Sequence, residues 1–353
     1  MILAAVGHAL PGPPVRSDAV VAALELVWRE HPDVLARLRR FAAAIGVDTR
    51  HLALPLPAYA ELQDFGAVND AWIRHAVALG ERAIDDALSR ARLAPRDVDA
   101  LFTVTVTGVA SPSLDALLMN RMPLRADLKR VPLFGLGCAG GVAGIARAAE
   151  HVLAFPDAIA VVLAVELCSL TFQREDRSSA HVLSSLLFGD GAAAVVLLGA
   201  ERATRLGIAA PRVVASQSTF YPGTTDVMGW RIGAGGFSLV LSPRVPLLVR
   251  ERLGADVDRF LAGRRLTRTD IGKWICHPGG PKVLRAVRDA LDVPGEDVAL
   301  AAEVLARRGN LSSVSVLLVL REVLDRKPPP PGTHGLLIAM GPAFASELVH
   351  VTW

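Results

Sequence analysis

Apolar and polar positions divide this chain into short buried runs and longer amphipathic stretches. Residues 99–108 (DALFTVTVTG), 131–135, 158–167 and 192–199 are nearly unbroken apolar runs. Runs this short, rich in β-branched residues or closed by glycine, predict strands buried on both faces. The first fifteen residues read as a strand and a turn. Helical patterns follow at 18–30, where Ser17 is the expected cap and Pro32 the stop, and at 33–45 before Gly46. A longer one covers 70–92, with Trp72, Val77, Ala83 and Leu88 on a helical stripe and Asn69 as the expected cap. The stretch 199–212 is a weak boundary. Beyond it come β-rich residues with turn signals at 213–242, a helix near 243–262 and a strand at 273–276. Helices are expected at 281–291, 300–307 and 312–325. Four prolines at 328–331 mark an exposed loop before strands at 335–340 and 345–352. Such alternation predicts an α/β protein whose helices cover a largely buried sheet.

The two parts of the chain echo each other. Strands at 100–107 and 273–276 each precede a glycine-flanked helix start, at Cys138 and at Asn310. Each part also ends in a glycine-containing turn that feeds a strand, FGDGAAAVVLL (188–198) and GLLIAMGPAFASEL (335–348). This repetition predicts a duplication with halves 1–205 and 206–353.

Composition narrows the picture. The 353 residues are 52% hydrophobic and 21% charged, which excludes intrinsic disorder and supplies a large core. A mean hydropathy of +0.38 raises the question of a membrane. The charge-free stretch 131–146 is too short and glycine-rich to span one. The N-terminus has no basic region ahead of its apolar run, so it does not read as a signal peptide, and a cytoplasmic protein is expected. Net charge is +3. No basic block with interleaved aromatics appears, which argues against nucleic acid, while a small basic excess suits a phosphorylated ligand. Three cysteines without a CxxC pair point to a reducing compartment and away from disulfides or a metal site.

Candidate chemistry gathers at element ends. In FGLGCAGGVAGIARAAEHV (134–152) a strand gives way to Cys138 and a helix of small residues. Helix N-terminal N–H groups stabilise a thiolate and can bind an oxyanion. The thiol is therefore either a packed core group or a rigidly held nucleophile. His277 ends a strand and is followed by Pro-Gly-Gly-Pro, which brings backbone close to any ligand; it is either a packed or a functional histidine. Asn310 in RRGNLSSVSVLLVL is either an ordinary helix cap or a member of the same site. Cys168 reads as core or pocket lining. Cys276, adjacent to His277 on a strand, is expected to face the other way.

Taken together, GLGCAGG around Cys138, LFGDGAAAVV (187–196), CHPGGPKVL (276–284) and GNLSS (309–313) make the whole chain similar to the type III polyketide synthases, the chalcone synthase superfamily. That resemblance implies the thiolase fold, a duplicated five-layered αβαβα architecture. It implies Cys138 as acyl-accepting nucleophile with His277 and Asn310 completing a triad, and Phe188 and Phe237 as gatekeepers. Thr107, Cys168, Thr171 and Ser312 fall on pocket positions, and Arg37, Arg40, Gly279 and Gly280 on coenzyme A contacts. Ala44 replaces a further basic residue, Ser111 a methionine that reaches the partner subunit in plant members, and Gly341-Pro342-Ala343 the usual GPG. Acyl-CoA and malonyl-CoA are the implied substrates, with no cofactor and no metal, and a homodimer is the implied assembly. The segment VELCSLTFQRED (165–176) is similar to bacterial synthases that make alkylpyrones or alkylresorcinols. Two alternatives stand beside this reading. A ketoacyl-ACP synthase III-like enzyme shares the Cys-His-Asn logic, but CHPGGP argues against it. A catalytically silent acyl-CoA-binding homologue is disfavoured by the three retained residues.

Overall fold

The computed structural model describes every residue of the chain except Gln63 and Lys327. It opens with β1 (Ile2–Ala9) and a small ribbon of β2 (Val15–Arg16) and β3 (Thr49–Arg50) that brackets α1 (Ser17–Val27) and α2 (Pro32–Ala42). Next come α3 (Phe65–Ala91), β4 (Ala100–Thr105), α4 (Leu114–Met119), β5 (Lys129–Phe134) and α5 (Gly140–Ala154). They are followed by β6 (Ile159–Leu167), α6 (Ser179–Leu187), β7 (Asp190–Leu198) and α7 (Ala200–Leu206). The chain then forms β8 (Arg212–Phe220), a hairpin of β9 (Met228–Gly233) and β10 (Gly236–Leu241), α8 (Val245–Ala262) and β11 (Ile271–Cys276). It closes with α9 (Pro281–Leu291), α10 (Gly295–Arg308), α11 (Ser313–Arg326), β12 (His334–Gly341) and β13 (Ala345–Thr352).

Nine strands form one sheet in the order β11-β12-β13-β8-β1-β7-β6-β4-β5. Its pairing shows the duplication directly. β1–β7 and β7–β6 are antiparallel and β6–β4 parallel; β8–β13 and β13–β12 are antiparallel and β12–β11 parallel. The two sets join where Ile2 of β1 pairs with Arg212 of β8. In both sets one long helix (α3, α8) precedes the parallel pair and another (α5, α11) the antiparallel one. α5 and α11 touch each other and strands of both sets, so they lie in the middle. α3 packs against β1, β6 and β7 on one outer face, while α8 and α9 cover the other with β11 and β12. The result is the five-layered αβαβα architecture of the thiolase fold.

The sequence explains this packing. Every residue of β6 and β7 is buried, which is why their apolar runs lack alternation. The small residues of α5 permit close approach to the other central helix. A Cβ on Gly141 would lie 2.2 Å from the Ser313 carbonyl oxygen.

Some expectations shift by a turn. α3 begins at Phe65, capped by Asp64, whose side chain accepts from the Ala67 N–H; Asn69 instead clamps the Val109 backbone through both amide atoms. Ser17 is the first residue of α1 rather than its cap, and its hydroxyl donates to the Val47 carbonyl. α10 starts five residues earlier than its apolar pattern, because its first turn is polar. Asn310 lies three residues ahead of α11 and does not cap it.

Candidate active site

Cys138 sits in a one-turn 3-10 helix, Gly137–Ala139, that runs straight into α5. His277 follows the last residue of β11, and its backbone N–H donates to Ile338 of β12. Asn310 is held by a backbone ladder: its N–H donates to Leu187 and its carbonyl accepts from Gly189, so it lies beside Phe188. Strand ends and helix starts from both duplicated sets thus place Cys138, His277, Asn310 and Ser312 on the wall of one cavity of about 440 Å³. Phe188, Gly279 and Gly280 share that wall.

The polar geometry fixes what each group can do. The Asn310 side-chain oxygen accepts from the Ser312 N–H at 2.8 Å, and its NH2 group donates to the Gly279 carbonyl at 3.4 Å, so the second N–H is the part available to the cavity. Ser312 adopts a left-handed backbone (φ 48°) to make that bond. The Cys138 thiol faces Ser312 Oγ at 3.8 Å. Neither ring nitrogen of buried His277 has a hydrogen-bond partner among the described residues. Burial pushes the Cys138 thiol up to about 12, against the pull of Ser312 and Asn310, and drives His277 down to about 3. The helix start therefore does not by itself lower the thiol. Burial thus favours the neutral form of both groups.

Other expected residues divide between this cavity and its surroundings. Cys168 and Thr171 line a separate chamber of about 100 Å³ that also touches Phe188. Phe237 is buried behind Trp230, which stands edge-on to it at 6.3 Å and is itself on the main wall, 6.3 Å from Phe188. Thr107 reaches neither cavity: its hydroxyl donates to Glu166 at 2.9 Å and accepts from Leu167 and Trp72. Cys276 packs in the outer core with Trp274 yet also borders the main cavity, which wraps round the strand end. Arg37 donates to Asp33 and to Ser179, a residue of the cavity mouth, and exposed Arg40 lies over the ring of Phe41, another mouth residue. Exposed Ala44 and Lys282 complete that mouth.

Three residues escaped the sequence reading. Trp230 gave no signal, since it lies on a half-exposed hairpin. Arg50 looks like an ordinary charge in DTRH, but it is fully buried, donates to Ser185 and Phe188 carbonyls and to Ser17, and so braces the segment beside Asn310. Glu166 was visible as a lone acid in an apolar strand. It is fully buried, accepts from Ser313, Thr107 and Val106, and burial raises it to about 7.

Among the described residues no group of three or more His, Cys, Asp or Glu could hold a metal, and no helix is long and apolar enough to cross a membrane. Residues 67–209 match the family model of FAE1/type III polyketide synthase-like proteins, and 212–352 that of the chalcone and stilbene synthase C-terminal domain. The chain is 52% identical to 1,3,6,8-tetrahydroxynaphthalene synthase of Streptomyces peucetius subsp. caesius, over 90% of this chain and 84% of that one. Among solved structures, 1,3,6,8-tetrahydroxynaphthalene synthase of Streptomyces coelicolor A3(2) aligns at a TM-score of 0.89 and 30% identity, covering 100% and 99% of the two chains. Germicidin synthase of Streptomyces coelicolor aligns at 0.90 and 26%, also covering 100% and 99%. The chain therefore belongs to the type III polyketide synthases, acyltransferases with the thiolase fold.

Proposed function

We propose that Cys138 carries an acyl group, that His277 and Asn310 hold the thioester oxygen of malonyl-CoA, and that the chain grows by repeated decarboxylative condensation. The observation that carries this reading is the convergence on one cavity of a thiol, an unpartnered imidazole and an amide NH2 group that donates to the Gly279 carbonyl at a long 3.4 Å. As Cys138 attacks a CoA thioester, His277 takes the sulfur proton, and coenzyme A leaves as its thiol once reprotonated. Malonyl-CoA then loses CO2, and the electron pair of the broken C–C bond forms an enolate. The N–H groups of a neutral amide and of the imidazole are the donors such an oxygen needs, whereas a carboxylate at position 310 would repel it. The enolate carbon attacks the Cys138 thioester, a C–C bond forms, and the thiolate is released for the next round. Apolar Phe188 and Trp230 beside the site keep water from the carbanion.

For the product, the 52% identical relative favours a small polyhydroxylated aromatic built from two-carbon units. 1,3,6,8-Tetrahydroxynaphthalene has ten carbons with oxygens on alternate positions, the pattern of five two-carbon units. An alkylpyrone or alkylresorcinol from a fatty acyl starter is a second reading, favoured by the aliphatic walls of the large cavity. Purified protein incubated with malonyl-CoA, alone and with a chain-length panel of acyl-CoAs, tests both by mass spectrometry of the products. Absence of any polyketide from every mixture overturns the reading.

A homodimer is part of this proposal. β5 is one edge of the sheet and carries exposed Phe134, with exposed Leu136 just beyond it and half-buried Cys138 two residues further on. An edge strand with apolar side chains suits pairing with a second copy, and light scattering at micromolar concentration reads the mass. Cytoplasmic placement fits three free cysteines and CoA substrates.

A further inference from the structure

The main cavity continues past the triad. It rounds the end of β11 and runs between the outer face of β11–β12 and helices α8 and α9. There its walls are Val249, Val287, Cys276, Met340 and Phe344, all buried and without a charged group. Two contacts tie this lobe to the reacting groups. Pro342, on the cavity wall, lies so close to the residue before Cys138 that a Cβ on Gly137 would come within 2.6 Å of its ring. A Cβ on Gly279 would lie 3.4 Å from the His277 ring and 3.2 Å from Val283 of α9. A chain tethered at the Cys138 sulfur therefore meets the lobe's entrance at both walls. Apart from the weak donor of the Cys276 thiol, none of these five side chains can pair with the oxygens of a poly-β-ketone, so a growing polyketide would bury most of its carbonyl groups there without side-chain partners. A saturated chain has no such cost. The smaller chamber bordering Phe188 is different, with hydroxyls from Tyr59, Ser169, Thr171, Ser184 and Ser185 around it.

We infer that the lobe beneath α8 and α9 binds the saturated alkyl chain of an acyl-CoA starter while its carboxyl carbon is a thioester on Cys138. Starter length is then set in the second duplicated half, by Val249, Val287 and Met340. This inference rests on Cys138 being the acyl carrier and on the second reading above, a fatty acyl starter. Val287 and Val249 line the lobe from neighbouring helices, α9 and α8, so a phenyl ring at either position should occupy part of its space.

The test is the specificity ratio of one enzyme preparation toward two starters, hexanoyl-CoA and butanoyl-CoA, each with malonyl-CoA. Each buried methylene is worth about a factor of four, so kcat/KM should favour hexanoyl by about 16-fold in the parent. In V287F and V249F the ratio should collapse to about one, and in V287A the longest accepted chain should increase. A second readout, the mass of the acyl group on intact protein mixed with an equimolar C4–C12 acyl-CoA pool, should shift the same way. An identical length profile in all three variants overturns the inference, as does a parent ratio near one. Failure of the underlying reading shows separately, as absence of any acyl adduct on Cys138 and of any turnover of malonyl-CoA by the parent.

Discussion

His277→Ala probes the electrostatics of the site most sharply. Burial holds a lone Cys138 thiol at about 12, so only about one molecule in 10⁵ is a thiolate at pH 7. Burial disfavours the His277 imidazolium as well, so what the pair adds is mutual attraction, about 4 kcal/mol for unit charges about 4 Å apart at an effective dielectric constant of about 20. Set against the cost of moving the proton from thiol to imidazole, that attraction bounds the gain in thiolate population at about three powers of ten. The more basic lone thiolate recovers part of the deficit, because nucleophilicity rises with a Brønsted slope of about 0.4–0.5. The expectation is alkylation by iodoacetamide slower in His277→Ala than in the parent at pH 7, by at most about 30- to 60-fold. The variant's rate should also climb tenfold per pH unit from 7 to 9.5 without a plateau. The assay is loss of titratable Cys138, followed by intact-protein mass. Cys168 and Cys276 are buried and serve as internal controls. A variant rate within threefold of the parent, with the same pH profile, refutes the pairing and assigns the thiolate to the helix start and Ser312 instead.

Further expectations follow from the same geometry. Asn310→Ala removes one donor to the enolate oxygen and should lower malonyl-CoA decarboxylation by about 10²–10³, with Asn310→Asp lower still because a carboxylate repels the developing charge; release of labelled CO2 measures both. His277 also links stability to pH. Its folded value of about 3 lies below the unfolded 6.5, so the folded state binds fewer protons between them and stability is lost as pH falls below 6.5, by about 1.4 kcal/mol per pH unit. Glu166 and Asp190 act oppositely: burial raises them to about 7 and about 6, so their terms favour folding at low pH and fade as pH rises. The His277 term is therefore the difference between His277→Gln and the parent in urea midpoints from pH 7 to 5, and parallel curves would refute it.

Much of this molecule was legible from its sequence because its buried strands contrast so strongly with their flanks. β6 and β7 are buried throughout, and the small residues of α5 announce a helix packed on several sides. The duplication too could be read, from matched strand-to-helix spacings, though only the pairing order shows that the two sets join through β1 and β8. Helix starts were harder. Asp64 and Asn69 are equally good caps by residue type, and only the position of Val109 decides that Asn69 is engaged elsewhere. Cys138, His277 and Asn310 stood out as candidates because Gly and Pro mark the turns that present them. Their protonation was not legible, since the thiol's environment is set by burial first and then by the Ser312 hydrogen bond, which lowers it, and the Glu166 charge, which raises it, all from distant segments. Arg50 could not be placed in advance for the same reason. Its burial arises from α1, α6 and β7 closing round it, while its own neighbours in sequence are polar.

The central claim is that Cys138 carries the growing chain while His277 and Asn310 generate the enolate, and separating those two steps in Cys138→Ala tests it most directly. With labelled malonyl-CoA the variant should still release CO2 and leave acetyl-CoA, while forming no carbon–carbon bond and no polyketide detectable by mass spectrometry. Polyketide formation by Cys138→Ala at a rate comparable with the parent would contradict the account.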